Sequence, residues 1–148
     1  MPVSDQLRMV GIGASAGGLE AIYEFFENLT EDTGFTFVII QHLSPDYKSL
    51  MPELLSRHTT MSVKEAKEGD KVTPNHVYLI PGAKNIQIKD GKLELTKRLP
   101  NNQINFSINI FFNSLAIEQK ERAIAIILSG TGSDGTKGVG SIRPSFLT

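Results

Sequence analysis

The residues of this chain with the types to do chemistry together are a serine, a histidine and an aspartate, each placed just past an apolar run. Ser15 sits in Gly13-Ala14-Ser15-Ala16-Gly17-Gly18, between the strand-like stretch Met9 to Ile12 and an amphipathic segment. His42 ends the β-branched and aromatic run Phe35 to Gln41. Asp134 lies in Ser129-Gly130-Thr131-Gly132-Ser133-Asp134-Gly135, directly after the apolar run Ala123 to Leu128. A serine on a sharp strand-to-helix turn is an exposed nucleophile. Small neighbours let the backbone take the turn, and the helix N-terminus behind it favours developing negative charge. A histidine beside it takes the serine proton during attack on a carbonyl and returns it to the leaving group. An aspartate holds the imidazole tautomer and stabilises the imidazolium. Backbone N–H groups in the two glycine-rich turns can stabilise the oxyanion. The chemistry so described is acyl transfer.

Apolar runs alternating with helical patterns are what would bring these residues together, since that order specifies a parallel α/β sheet. A strand around Arg8 to Ile12 leads into the serine turn. A helix from about Gly18 to Leu29 follows, with Leu19, Ile22, Phe26 and Leu29 on one face. The run Phe35 to Gln41 reads as a strand buried on both faces. Ser44-Pro45-Asp46 breaks the chain, and Ser49 to His58 reads as a second helix. Residues 62 to 97 hold several short strand-like pieces, and Asp90-Gly91 between two alternating segments marks a hairpin. We therefore expect an antiparallel insertion beside the parallel sheet. Ser107 is expected to cap the next helix, along which Ile108, Phe111, Phe112, Leu115 and Ala116 recur at helical spacing. Ser15, His42 and Asp134 then share the C-terminal edge of the strands, where the loops of an open parallel sheet converge. The fold class expected is a doubly wound, mostly parallel α/β sheet with helices on both faces, in a single domain over residues 1–148.

Each residue also has a plainer reading. The Ser15 turn can bind a phosphate or cap a helix, His42 can be an ordinary strand-end histidine, and Asp134 can stabilise a tight turn. The joint pattern favours the triad, because three independent accidents at one sheet edge are improbable. His58, beside Arg57 near a helix end, reads as solvated. His76, after Pro74-Asn75, reads as structural. The main rival is a nucleotide site, since Gly11, Gly13 and Gly17 follow a strand and precede a helix. That site wants a carboxylate at the end of the second strand, where this chain has Gln41-His42, and a phosphate loop wants a lysine after its last glycine, where this chain has Gly18-Leu19.

Composition narrows the field further. A chain of 148 residues with 40% hydrophobic content can bury a core as one domain. Its net charge of -1 gives no electrostatic footprint for nucleic acid. With no cysteine there is no disulfide, thiolate nucleophile or thiolate metal site, and no histidine pair or carboxylate cluster has ligand spacing. No secretory signal opens the chain and no apolar stretch approaches the ~20 residues of a membrane helix. The chain reads as soluble and cytoplasmic, with no metal and no cofactor.

Read together, the blocks Gly11 to Ala21, Val38 to Pro45, Met51 to Leu55, Val77 to Gly82 and Ile127 to Gly135 resemble the catalytic domain of CheB-type chemotaxis protein-glutamate methylesterases, from about Val10 to Gly138. The wording of the glycine turns is closest to methylesterase domains fused to a CheR-type methyltransferase. The resemblance implies a hydrolase of glutamyl methyl esters on the cytoplasmic helices of methylated chemoreceptors, releasing methanol, with deamidation of receptor glutamine in some relatives. It implies Ser15 as nucleophile, His42 as general base and Asp134 as orienting acid. It also implies the backbone N–H groups of Thr131 and Ala16 as oxyanion donors, and no cofactor. Asn109 stands where such relatives tend to carry aspartate. Chemotaxis members of the family usually carry a receiver domain, and family members continue further at the C-terminus. A sheet shortened there leaves an open edge that invites homodimerisation, and a catalytically impaired docking module is the alternative of the same fold.

Overall fold

Five strands run parallel in a computed structural model that describes residues 7–29, 33–101 and 103–128. In chain order the elements are β1 (Met9–Ala14), α1 (Leu19–Glu27), β2 (Thr36–Ile40), α2 (Pro45–Ser56), β3 (Ser62–Glu65), β4 (His76–Leu79), β5 (Lys84–Lys89), β6 (Lys92–Lys97), α3 (Ile104–Gln119) and β7 (Ile124–Leu128). The sheet order is β3-β4-β2-β1-β7, with every pairing parallel. β1 and β2 lie inside it and are buried along their whole length, which is why both read as unbroken apolar runs rather than alternating ones.

Two apolar layers flank the sheet, and the strand alternation decides which residue joins which. Val10, Ile12 and Ala14 of β1 and Phe37 and Ile39 of β2 pack with Ile22 and Phe26 of α1 and Met51 and Leu55 of α2. Met9 of β1 and Val38 and Ile40 of β2 pack with Ile108, Phe111, Phe112 and Leu115 of α3. On that second face β1 presents glycines. A Cβ on Gly11 would lie 3.0 Å from both Phe111 and Phe112, and one on Gly13 would lie 2.8 Å from Ile108 Cδ1. The two glycines let α3 lie directly on the backbone of β1. The expected doubly wound arrangement, helices on both faces, is the one found.

Several element expectations need correction. α2 begins at Pro45, so Ser44-Pro45 is a helix start rather than a break: Ser44 takes the extended cap conformation, and proline, with φ preset and no N–H to satisfy, occupies the first turn. Only β5 and β6 form the antiparallel hairpin, turned by Asp90 (φ 53) and Gly91 (φ 76), while β3 and β4 extend the parallel sheet. Ser107 is not a cap. α3 starts at Ile104 after Gln103, and the Ser107 hydroxyl is engaged elsewhere. Among the described residues no helix is long and apolar enough to cross a membrane.

Candidate active site

The strand register places Ser15 and His42 together. β1 and β2 pair Gly13 with Ile40, so two residues further along each chain Ser15 stands level with His42. Because side chains alternate, both continue the phase of Gly13 and Ile40, which face α3. For His42 the contact shows it: its Nε2 lies 3.0 Å from Ser107 Oγ in the first turns of α3. Ser15 follows β1 in an extended conformation (φ -74, ψ 166) and opens a short 3-10 turn, Ala16–Gly18. Two donors grip its carbonyl, the Gly18 N–H at 2.9 Å and Gln41 Nε2 at 2.6 Å. The Ala16 amide stands at the start of that turn, where a helical N–H has no acceptor of its own. Asp134 and Thr131 lie outside the described residues.

Around His42 the structure assembles groups that the sequence did not assign to the site. Ser107, fully buried, donates through Oγ to Asn85 Oδ1 at 2.6 Å. Arg98, which follows β6, reaches His42 Nδ1 with Nη1 at 3.5 Å. Lys48, in the first turn of α2, donates to the carbonyls of Gln41 at 2.9 Å and Ile80 at 2.7 Å, and so ties the ends of β2 and β4 at the site edge. Buried polar groups of this kind are costly unless satisfied, and Asn85, Ser107 and His42 satisfy one another. The Gln41 Oε1 and Arg98 Nε atoms, both buried, have no hydrogen-bond partner among the described residues.

One of these had a sequence signal. Ser107 sits four residues before Phe111 on the apolar stripe of α3, where a hydroxyl needs a reason. Asn85 had a misleading one, because the alternation Asn85-Ile86-Gln87-Ile88 puts it outward with Gln87, whereas it is buried. Arg98 arrives only through the hairpin and had none.

Burial pushes the His42 imidazole down to about 4, with the positive charges of Arg98 and then Lys48 adding to the effect. Burial likewise pushes the Lys48 ammonium down to about 8, with Arg98 lowering it further and Glu65 opposing. His42 is thus neutral at neutral pH, the form a general base needs. An unfolded histidine takes its proton near pH 6.5 and the folded one only near 4. Above pH 6.5 both states are neutral and His42 imposes no pH dependence. As pH falls from 6.5 to 4 the unfolded chain binds the proton first, and folding stability declines. We expect Arg98→Gln to move the His42 titration upward, read by NMR of the ring protons; an unmoved titration would show that the guanidinium exerts no effect there.

The other histidines lie elsewhere. His58 is partly exposed, as expected, and lies on the α1 side: it stacks on Tyr23 at 4.1 Å between ring centres and pairs with Glu27, beside a cavity of about 400 Å³ floored by Phe26, Leu29 and Met61. His76 is structural, its Nδ1 2.9 Å from the Pro74 carbonyl and its ring stacked on Tyr78.

Comparison with known proteins places the fold. The family model described as CheB methylesterase matches residues 10–145. The protein-glutamate methylesterase/protein-glutamine glutaminase 2 of Xanthomonas oryzae pv. oryzae (strain MAFF 311018) is 36% identical over 136 residues, which span 89% of this chain and 38% of that protein. The corresponding enzyme of Salmonella typhimurium is 32% identical over 142 residues, 93% of this chain and 40% of that protein. The chain therefore spans about two fifths of the length of these relatives. The crystal structure of the Thermotoga maritima CheB methylesterase catalytic domain superposes with a TM-score of 0.78 at 28% identity, covering 93% of this chain and 75% of that one.

Proposed function

Because the chain belongs to the CheB methylesterase family, we propose that it is a protein-glutamate methylesterase acting on methylated chemoreceptor helices. The observation that supports the reading is the β1–β2 register through Gly13 and Ile40, which brings the residues just past both strands to one sheet edge, where a neutral His42 meets Ser107 of α3. Ser15 Oγ attacks the ester carbonyl while His42 takes its proton. The bond between the carbonyl carbon and the methoxy oxygen breaks, and the methoxide takes the proton from His42 and leaves as methanol, with Ser15 acylated. Water, deprotonated by His42, then hydrolyses the acyl-enzyme to glutamate and restores Ser15. The Ala16 and Thr131 amides are the proposed oxyanion donors, and Asp134 the carboxylate that balances the imidazolium charge. The same acyl chemistry serves a glutamine side chain, with ammonia leaving instead.

The rim suits a protein substrate. Tyr47 and Leu50 in the first turns of α2 and Phe106 in the first turn of α3 are about half exposed, in helix starts that follow the C-terminal ends of strands. Large apolar groups there fit the side of a helix better than a small polar ester. The proposed companion is a CheR-type methyltransferase, fused or separate, since an enzyme that removes a methyl ester requires one that forms it.

Methanol release from a methylated receptor cytoplasmic fragment, measured by gas chromatography, tests the reading. Asp134→Asn should slow release by about 10⁴-fold, the scale of the corresponding change in a serine protease. Wild-type release by a folded Asp134→Asn chain would remove Asp134 from the mechanism, and no release by the unaltered chain would leave the family fold without the activity.

A further inference from the structure

We propose that Gln41 is a positioning residue that sets the plane of the Ser15–Ala16 peptide and so aims the Ala16 N–H as an oxyanion donor. The inference rests on the esterase reading for its catalytic meaning, and on peptide geometry for the aim. Gln41 Nε2 donates to the Ser15 carbonyl at 2.6 Å, and the Gly18 N–H donates to the same oxygen at 2.9 Å. A carbonyl oxygen only accepts, so the nitrogen of the Gln41 amide must be the end that faces it. The peptide unit is planar and trans, which holds the Ala16 N–H antiparallel to the Ser15 C=O in one rigid plane. Fixing the oxygen therefore fixes the hydrogen. One donor alone would let the plane rock about that single bond. Two donors from different elements, the turn itself and the end of β2, remove the freedom. The Ala16 N–H then points away from both grips, at the first position of the 3-10 turn, where it has no acceptor within the turn.

Gln41 is itself held at its other end. It closes the apolar run Phe35 to Ile40 and is only 2% exposed, so its amide does not swing out into water. Its own carbonyl accepts from Lys48 Nζ at 2.9 Å, and the same ammonium donates to the Ile80 carbonyl at 2.7 Å. The Ser15 turn is thus tied through one side chain to β2, and through Lys48 to α2 and the end of β4. Because Gln41 directly precedes His42, the residue that aims the donor also carries the backbone of the base. When Ser15 Oγ attacks the ester, negative charge gathers on the former carbonyl oxygen. The Ala16 N–H is directed by bonds made before the substrate arrives, so no reorganisation accompanies that charge.

Residual dipolar couplings, measured by NMR on the full 148-residue chain, read the direction of the Ala16 N–H. Gln41→Met keeps the volume and removes the donor, so this N–H should turn while those of Ile12 and Val38 within the strands keep their directions. In the methanol assay the same variant should lower kcat by about tenfold to a hundredfold with KM little changed. That is short of the ~10²–10³ for a donor removed outright, because Gly18 still holds the oxygen. A boronic acid analogue of the glutamyl side chain, which forms a tetrahedral adduct, should weaken by the same factor as kcat, a match that a merely structural role would not produce. Gln41→Glu has the same shape with an acceptor in place of the donor, and should reproduce these effects where Gln41→Met does not fold. A folded variant whose Ala16 N–H has not turned overturns the proposal, whatever its rate. So does an N–H that turns with kcat unchanged. If the unaltered chain releases no methanol, the esterase reading fails while the dipolar couplings still decide whether Gln41 holds the plane.

Discussion

Ser15→Ala should lower methanol release by at least about 10³-fold, and by as much as about 10⁶-fold, while leaving the thermal midpoint almost where it was. The loss is large because removing the nucleophile removes the acyl-enzyme route entirely, and what remains is whatever the oxyanion donors and binding contribute alone. The midpoint should hold because the turn is gripped by the Ser15 carbonyl, which accepts from Gly18 N–H and Gln41 Nε2, and alanine keeps that carbonyl. Differential scanning calorimetry should find a shift within about 2 °C, the scale of a neutral substitution in a chain of this size. Adding His42→Ala to Ser15→Ala should cost little more, since residues that act as one unit are not additive. Near-normal turnover by Ser15→Ala would exclude the serine route, and independent additive losses would exclude a shared step.

Gly13→Val should act in the opposite way, through packing first and rate second. Already a Cβ at this position comes within 2.8 Å of Ile108 Cδ1 and 3.0 Å of Ile108 Cγ2, and valine adds two methyl groups beyond it. Overpacking of this kind typically costs about 1–3 kcal/mol. For a chain of this length that corresponds to a fall in thermal midpoint of about 2–12 °C. Activity should fall as well, because α3 yields at Ile108 and the adjacent Ser107 holds His42. A companion Ile108→Ala should recover part of both losses, so that the double variant is more stable than the sum of the singles predicts. Full additivity would mean that Gly13 and Ile108 do not share a contact.

The fold was legible in the sequence wherever one local rule sufficed. β1, β2 and β7 announced themselves as apolar runs, α1 and α3 by helical spacing, and the β5–β6 turn by Asp90-Gly91, both of whose residues take positive φ. The start of α2 was misread because Pro45 is both a breaker of helices and a good first residue, and only the helix that follows tells which. β3 and β4 were too short to reveal their parallel partners, which are set by pairing across the sheet rather than by neighbours in the chain. Ser15 and His42 could be chosen from strand-end position alone. Asn85, Arg98 and Ser107 could not, because they converge through the hairpin and α3, and their role depends on which atom donates to which.

The two glycines of β1 and the register beside them have a consequence for how this domain can change over time. The proposed nucleophile Ser15 and base His42 share a face only because each lies an even number of steps beyond a paired residue, Gly13 and Ile40, that already faces α3. Insertion or loss of one residue between pair and site would reverse the side on which the group emerges, while the sheet itself could still form. The site thus inherits a parity from the strands. Length changes in these two short segments are permitted in twos or not at all.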